Sequence, residues 1–453
     1  MKTVAFHNLG CKVNAYETDI MLQKFVENGF CVVPFTQKAD IYVINTCTVT
    51  SIADHKSRQM LHRAKEKNPE AVVIAVGCYV QTDTERVIND PAVDIAIGNN
   101  RKSEVVEILK EYLNDREGGK AGGKAPESTA LSDVIDINKP CEYEDMSLTE
   151  TADRTRAYIK IQDGCNQFCS YCLIPYARGR VRSRDMDDII SEIKTISAKG
   201  YEEVVLTGIH VSSYGITDPN DLSQNKLSEL LCRIQEIDSV KRIRLSSLEP
   251  RVVTDSFAKT IGGLDKLCPH FHLSLQSGCD ATLKRMNRHY TSAEFAEGVE
   301  RLRAAFTDPA ITTDIIVGFP GETAEEFEDS FSFAERIGFY EMHIFKYSKR
   351  KGTVAATLPN QVRDEDKSLR SDRMIELGNR LSADFRKRYL GKVRPVLFEE
   401  EKKLKGGRYV IGHTPEYIKV AVPAENDKSI RNQILPVELG GFITDDIMAG
   451  KIC

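Results

Sequence analysis

Short apolar runs alternate with amphipathic stretches over the first quarter of the chain. Residues 3–8, 40–45, 71–76 and 93–97 read as strands, and the periodic patterns at 17–28, 51–67 and 102–113 read as helices. Such alternation predicts a doubly wound parallel sheet, an α/β domain spanning residues 1–115. The pattern dissolves between 116 and 153. Glu-Gly-Gly-Lys-Ala-Gly-Gly-Lys-Ala-Pro at 117–126 is linker composition, and an acidic segment follows it. A second α/β region then runs from 154 to 390. Its six expected strands are 157–162, 203–207, 242–246, 270–276, 312–317 and 341–346, with helical patterns at 186–199, 227–237, 292–305 and 324–337 between them. Six units are two short of a full eight-fold barrel, which predicts a partial, laterally open (βα)6 barrel. In the fourth strand Phe271, Leu273 and Leu275 share one face. His272, Ser274 and Gln276 share the other, a polar face suited to lining a cavity. A charged helix at 364–389, with Leu369, Met374, Leu377, Leu381 and Phe385 at helical spacing, leads to residues 391–453. There, short strands at 394–399, 409–414, 417–423 and 432–437 predict a small β-barrel.

Composition changes this picture little. Hydrophobic residues make up 41% and charged residues 28% of the 453, as in ordinary globular chains. A net charge of −5 means that any nucleic-acid partner is held by local patches, not by the overall field. The first residues contain no long apolar run, and no window approaches a membrane span, so a cytoplasmic location without membrane attachment is expected. Twelve cysteines in a reducing compartment point to metal or catalysis more than to disulfides.

Cys165, Cys169 and Cys172 form C-x3-C-x2-C directly after the first strand of the second region. This is the end of a barrel strand where chemistry is placed. Three thiolates hold three corners of a four-iron cluster, and no fourth cysteine follows nearby, so one iron is left open to a small molecule. Cys11, Cys47 and Cys78 each lie just past an apolar strand of the first region, at the edge where open α/β sheets bind ligands. Tens of residues apart in sequence, they are expected to converge on one rim. Cys31 begins an apolar run and reads as core, and nothing in the sequence positions Cys141.

Arg178, Arg180, Arg182 and Arg184 continue the cysteine loop with no acid among them. In an extended segment, residues two apart share a face, so the four guanidiniums are expected to form a row that clamps phosphates. The alternative is a charged edge strand that protects the sheet. Lys284, Arg285, Arg288 and His289 form a second basic cluster, and Lys346, Lys349, Arg350 and Lys351 a third. Thr207-Gly208 closes the second strand, and Gly318-Phe319-Pro320-Gly321-Glu322 the fifth. Glycine there admits close backbone approach to a ligand, although Pro-Gly is also an ordinary turn signal. Asp314 faces either the cavity or an arginine.

C-x3-C-x2-C with Tyr171 before the last cysteine resembles the signature of radical S-adenosylmethionine enzymes. The contexts Leu-Gly-Cys-Lys-Val-Asn, Asn-Thr-Cys-Thr-Val and Val-Gly-Cys-Tyr-Val-Gln, together with the order of the three regions, resemble the methylthiotransferases within that superfamily across essentially the whole chain. The resemblance implies two [4Fe–4S] clusters, one on Cys165, Cys169 and Cys172 and an auxiliary one on Cys11, Cys47 and Cys78. It implies two S-adenosylmethionine molecules, one a methyl donor and one a radical source, and a last domain like the RNA-binding TRAM module. Tyr171, Thr207, Gly208 and Gln276 are the candidates for contact with the cofactor; no separate acid–base residue is assigned. The stretches Leu-Ile-Pro-Tyr-Ala-Arg-Gly-Arg-Val-Arg-Ser-Arg, Leu-Thr-Gly-Ile-His and His-Leu-Ser-Leu-Gln-Ser-Gly-Cys-Asp are most similar to the branch that methylthiolates C2 of N6-threonylcarbamoyladenosine at position 37 of tRNA. The branches acting on isopentenyladenosine 37 and on a ribosomal-protein aspartate are the alternatives, and a non-catalytic iron–sulfur RNA-binding sensor is the rival of a different class. Implied partners are a tRNA anticodon loop, an electron donor such as flavodoxin or ferredoxin, and a sulfur source; a monomer is expected.

Overall fold

A computed structural model describes residues 1–117, 130–149, 155–216, 225–424 and 429–453. The glycine-rich part of the expected linker, 118–129, and residues 150–154 lie outside these. The first six strands are β1 (Thr3–Asn8), β2 (Cys31–Val32), β3 (Ile41–Thr46), β4 (Val72–Gly77), β5 (Ile95–Ile97) and β6 (Leu131–Asp133). They form one parallel sheet in the order β2-β1-β3-β4-β5-β6. Strands β3 and β4 are buried along their whole length, which explains their unbroken apolar runs. Helix α1 (Lys12–Glu27) follows β1, and α2 (Ser51–Lys67) follows β3, starting where the Thr50 hydroxyl accepts the Ala53 N–H at 3.1 Å.

Two expectations are corrected here. The acidic part of the supposed linker is not loosely packed. Residues 131–133 supply the last strand of the sheet, Ile137, Met146 and Leu148 are buried, and Glu144 accepts the Ser103 N–H at 2.7 Å. Its apolar residues are too sparse to show periodicity, so the acids masked its role. Cys31 is exposed on the edge strand β2, not core.

The central region contributes β7 (Arg156–Asp163), β8 (Arg182–Ser183), β9 (Glu203–Gly208), β10 (Arg242–Leu245), β11 (His270–His272), β12 (Ala310–Val317) and β13 (Glu341–Lys346). They pair as β10-β9-β7-β8 and β11-β12-β13, with the short antiparallel β8 at one edge. Parallel bridges Ile243↔Leu267 and Leu248↔Leu273 join the two groups. The six parallel strands thus curve into a partial barrel. Phe271, Leu273 and Leu275 are buried, and their polar alternates His272 and Ser274 are half-buried, although the regular strand stops at His272. One continuous core joins α1 to the barrel wall: Val4, Tyr16 and Ile20 pack with Ala157, Ile159 and Ile189.

The last module is β14 (Val393–Leu404), β15 (Gly407–His413), β16 (Lys419–Pro423), β17 (Ile434–Thr444) and β18 (Ile447–Ile452), closed in the order β14-β15-β16-β18-β17. Its core includes Phe385 and Tyr389, which end the helix Asp364–Lys387 and its cap and tie that helix to the module. Leu369, expected on the packed face of that helix, is exposed.

Candidate active site

Strands β1, β3 and β4 are adjacent and in parallel register, with Asn8 opposite Asn45 and Thr46 opposite Gly77. Neighbouring strands lie about 4.8 Å apart, so residues just past their ends meet within one short span. Those residues are Cys11, Cys47 and Cys78. Asn14 ties the loops together, donating to Leu9 O at 2.7 Å and Thr46 O at 3.0 Å. Gly10, at φ +99°, lies so close to Cys47 that a Cβ there would stand 2.8 Å from its Sγ. The thiols sense one another. Cys47 is pushed up to about 11 by burial first and then by Cys78 and Cys11. Cys11 is exposed by area yet ringed by protein, and desolvation raises it while Arg178 opposes.

Cys165, Cys169 and Cys172 hang on the loop after β7. Backbone bonds shape the loop: Cys165 N to Gly179 O at 3.0 Å, Ser170 N to Met286 O at 2.9 Å, and Ala355 N to Ser170 O at 2.7 Å. Gly164, at φ +73°, permits the crossing, because a Cβ there would stand 1.8 Å from Arg180 O. Burial pushes Cys165 up to about 12 and raises Cys172 further. Thiols left to themselves here would stay protonated at neutral pH, and bound metal is what converts such groups to thiolates.

A single ion with metal–sulfur bonds of about 2.3 Å keeps its thiolates within about 4.6 Å of each other. Neither triplet contracts that far. Among the described residues, His272, Asp314 and His343 are the one set of His, Cys, Asp or Glu side chains whose ligand atoms all lie within 4.8 Å. Each triplet supplies three free thiols, the donor type and number that the sequence implies for a cluster with one open iron. Within the smaller set, His272 Nε2 faces Asp314 Oδ2 at 3.3 Å, and its Nδ1 meets Thr312 Oγ1 at 3.0 Å.

The arginine row is the main correction. Arg178 is fully buried; its guanidinium donates to Glu17 at 2.5 and 3.0 Å, to Asn14 Oδ1 at 2.6 Å and to Cys78 Sγ at 3.2 Å. Arg182 is buried against Cys141 Sγ at 3.2 Å and Arg178 O at 3.0 Å, so Cys141 does have a positioning partner. Arg184 is buried in a bond to Glu192. Only Arg180 is exposed, its Cζ 4.5 Å above the Phe168 ring. The alternation that should have aligned four side chains fails because Ile174–Arg178 is a short helix and only Arg182–Ser183 is strand. Arg178 finds its acid 161 residues away in Glu17, Arg184 finds Glu192 eight residues on in the next helix, and Arg182 turns to Cys141 and a backbone carbonyl, none of which composition of the loop reveals.

In the other basic clusters the arginines turn to protein partners, while Lys284, His289, Lys346, Lys349 and Lys351 stay exposed. Arg288 turns inward, donating to Cys169 Sγ at 3.2 Å and to the Tyr290 hydroxyl at 3.0 Å. Arg285 pairs with Glu326, and Arg350 reaches back to the first domain, to Asp54 at 2.8 Å and Thr48 O at 2.7 Å. Each triplet therefore has one thiol that accepts from a guanidinium, that of the fully buried Arg178 or of the half-buried Arg288.

Glu17 was invisible to motif reading, yet it is central. Buried between Lys102 at 2.5 Å, Lys160 at 2.7 Å and Arg178, its carboxyl is raised by desolvation but held well below the usual range by those cations. Asp163 joins through Lys160 at 2.6 Å and Arg178 at 3.2 Å. The only sequence signal was a polar residue at a position α1 had to bury.

Of the proposed cofactor contacts, Thr207 and Gly208 end β9, and a Cβ on Gly208 would stand 3.0 Å from Gln162 Oε1. Gln276, buried at φ +69°, follows β11 and bridges to β12, its N–H on Asp314 O at 2.8 Å. These sit at the same end of the barrel as the cysteine loop. Tyr171 packs edge-on against Phe319, ring centroids 6.2 Å apart. A glutamate missed in the sequence, Glu249, faces His210 at 3.1 Å nearby; burial raises its carboxyl, but His210 and Arg251 bring it down to about 2.

A barrel rim carrying three clustered thiols defines a radical S-adenosylmethionine fold, and comparisons agree. Residues 159–334 match the radical SAM superfamily, and residues 3–98 match the uncharacterized protein family UPF0004. The threonylcarbamoyladenosine tRNA methylthiotransferase MtaB of Bacillus subtilis (strain 168) is 39% identical over 452 residues, covering 98% of this chain and 97% of that one. The like-named protein of Aquifex aeolicus (strain VF5) is 39% identical over 90% of this chain and 95% of its own. A tRNA-2-methylthio-N(6)-dimethylallyladenosine synthase of Thermoanaerobacter pseudethanolicus is 34% identical over 88% of this chain and 83% of its own. Among solved structures, the radical S-adenosylmethionine methyltransferase TsrM from Kitasatospora setae, with cobalamin and a [4Fe–4S] cluster bound, shares the fold at TM-score 0.59. It has 15% identity, over 78% of this chain and 77% of that one. The chain belongs to the radical S-adenosylmethionine methylthiotransferase family. It is an enzyme of that class. No helix among the described residues is long and apolar enough to cross a membrane.

Proposed function

We propose that this enzyme methylthiolates C2 of N6-threonylcarbamoyladenosine at position 37 of tRNA, using two [4Fe–4S] clusters and two S-adenosylmethionine molecules. The observation that carries the substrate is identity of 39% over nearly the whole length to a relative named for that nucleoside. The two cysteine triplets support the cofactor count. Cys165, Cys169 and Cys172 would hold one cluster and Cys11, Cys47 and Cys78 the other; together the clusters supply one-electron chemistry and a seat for sulfur. The chain's own residues do the positioning. Arg178 and Arg288 each give one thiolate a charge-assisted hydrogen bond, which lowers the electron density on its sulfur. The Glu17–Lys160–Asp163–Arg178 network fixes the end of the cysteine loop against the first domain. Thr207, Gly208, Gln276 and Tyr171 remain the proposed cofactor contacts, and the exposed Arg180 the proposed contact with the anticodon loop, whose bases can be splayed out for reaction. A low-potential donor such as flavodoxin or ferredoxin and a sulfur source complete the turnover.

Mass spectrometry of tRNA nucleosides from a deletion strain tests the substrate. The methylthio derivative of N6-threonylcarbamoyladenosine is expected to vanish and to return on complementation. Loss of the isopentenyl derivative instead would transfer the enzyme to the other tRNA branch, and unchanged tRNA would reject both.

A further inference from the structure

After β13 the chain does not turn directly into the helix Asp364–Lys387. A strap comes first, and residues 350–355 of it are pinned at both ends beside a cysteine, each of a different triplet. At the first end stands Arg350, a buried cation. One nitrogen of its guanidinium donates to Asp54 Oδ2 at 2.8 Å, and the other to Thr48 O and Thr48 Oγ1, both at 2.7 Å. Thr48 is the residue after Cys47. Its hydroxyl also meets Thr82 Oγ1 at 3.3 Å, and Thr82 ends the short helix that Cys78 begins. One guanidinium thus holds the loop of Cys47 and, one hydrogen bond further, the helix of Cys78.

At the other end the Ala355 N–H donates to Ser170 O at 2.7 Å, and Ser170 is the residue after Cys169. Ser170 is itself fixed to the barrel, its N–H on Met286 O at 2.9 Å and its hydroxyl on Arg285 O at 2.8 Å. Between the two ends, the Thr353 N–H and hydroxyl both donate to Arg350 O, at 3.2 and 2.8 Å. The strap is therefore a closed turn and not a slack loop. Each cysteine loop has supports of its own, Ser57 for Cys47 and Gly179 for Cys165. What the strap adds is a relation between the loops. Arg178 already gives the triplets one link. A single link leaves two loops free to pivot about it, and a second fixes their spacing.

Spacing matters because the reaction proposed above joins what the two sites supply. A displacement of about 1 Å, caused far from the chemistry, can slow a reaction on the order of a hundredfold. We propose that Arg350 is a positioning residue and that the strap 350–355 sets the spacing between the two thiol triplets, keeping cofactor cleavage at one coupled to sulfur transfer from the other. The inference rests on the two-cluster reading above and concerns the same site.

Arg350→Gln, Arg350→Lys and a chain with one glycine inserted after Gly352 are compared with wild type as anaerobically reconstituted full chains. Iron content equal to wild type certifies each variant. The insertion removes no side chain and carries the test by itself if Arg350→Gln does not fold. The first measurement is 5′-deoxyadenosine released per methylthio product. Arg350→Gln and the insertion should raise that ratio by roughly tenfold or more, through slower product formation at unchanged cleavage. Arg350→Lys should fall between them and wild type, because it keeps an ion pair with Asp54. The second measurement is hydrogen exchange in the metal-free full chain. Either change should speed exchange both in the loop after Cys47 and around Ser170. Unchanged exchange around Ser170 overturns the proposal, because the strap then transmits nothing. So does an equal fall in cleavage and product, which would make Arg350 a support of one loop alone. If wild type forms no methylthio product on tRNA bearing N6-threonylcarbamoyladenosine, the reading above fails instead, and the exchange result still decides whether the strap joins the triplets.

Discussion

Cys165, Cys169 and Cys172 hang from one short loop whose shape is held by backbone bonds to Gly179, Met286 and Ala355, whereas Cys11, Cys47 and Cys78 come from three strand ends of one sheet. The first triplet can form as soon as its loop docks on the barrel. The second exists only when a sheet spanning β1 to β4 has folded in register. A local triplet tolerates changes in distant packing, and a dispersed one inherits every fault of its sheet. Yet the two share a brace, since Arg178, six residues beyond Cys172, bonds to Cys78. The sharpest way to break the comparison is to remove thiols one at a time. Cys165→Ala and Cys78→Ala should each lower iron from about eight to about four per chain after reconstitution. A wild-type count near four that is indifferent to Cys78→Ala would leave the dispersed triplet without a cluster.

Legibility in the sequence follows the same divide. The loop triplet was plain from spacing alone. The dispersed one was legible because apolar runs marked the strand ends, and the rule that ligands bind past those ends did the rest. What escaped were partnerships across domains. Glu17 and Arg178 lie far apart in sequence, and neither stands in a motif that predicts the other. The four-arginine row failed for the same reason: solvent exposure was inferred from local composition, while three guanidiniums had buried acceptors waiting in α1, in Glu192 and beside Cys141. Likewise β6 was hidden in an acidic segment, because three residues of edge strand leave no periodic signature.

Arg178→Ala sharpens the comparison from the brace itself. It removes one partner of a fully buried network and leaves Glu17 with Lys102 and Lys160, and Asp163 with Lys160 and the more distant Arg182 at 3.8 Å. Breaking such a pair costs about 3–5 kcal/mol. Denaturant unfolding should register that loss, and iron should leave the dispersed triplet before the loop triplet. Equal loss from both would show that the brace serves the loop as much as the sheet.

Acid separates the thiol sites from the barrel floor. Burial raises the carboxyl of Glu203, but Arg244, Arg156 and Arg242 outweigh it and hold the group down at about 2, against 4.5 ordinarily. Its stabilisation is complete above about pH 4.5 and is lost as pH falls towards 2, a swing of about 3 kcal/mol. Glu203→Gln should be less stable than wild type at neutral pH, and the gap should close as pH drops through that window. A gap that stays constant would place the acid sensitivity elsewhere, at the metal ligands.

The smallest expected effect lies at Arg180, the one arginine of the row that faces solvent. The loop triplet carries this cation at its mouth, whereas the buried Arg178 is the guanidinium assigned to the dispersed triplet. Arg180→Ala removes no buried partner, so unfolding should not change beyond about 0.5 kcal/mol. If Arg180 meets a phosphate, tRNA affinity should fall modestly for every sequence, and the slope of log affinity against log salt should flatten by about one. An unchanged salt slope would mean that its guanidinium serves only to cover Phe168, and the loop would then meet RNA through other residues.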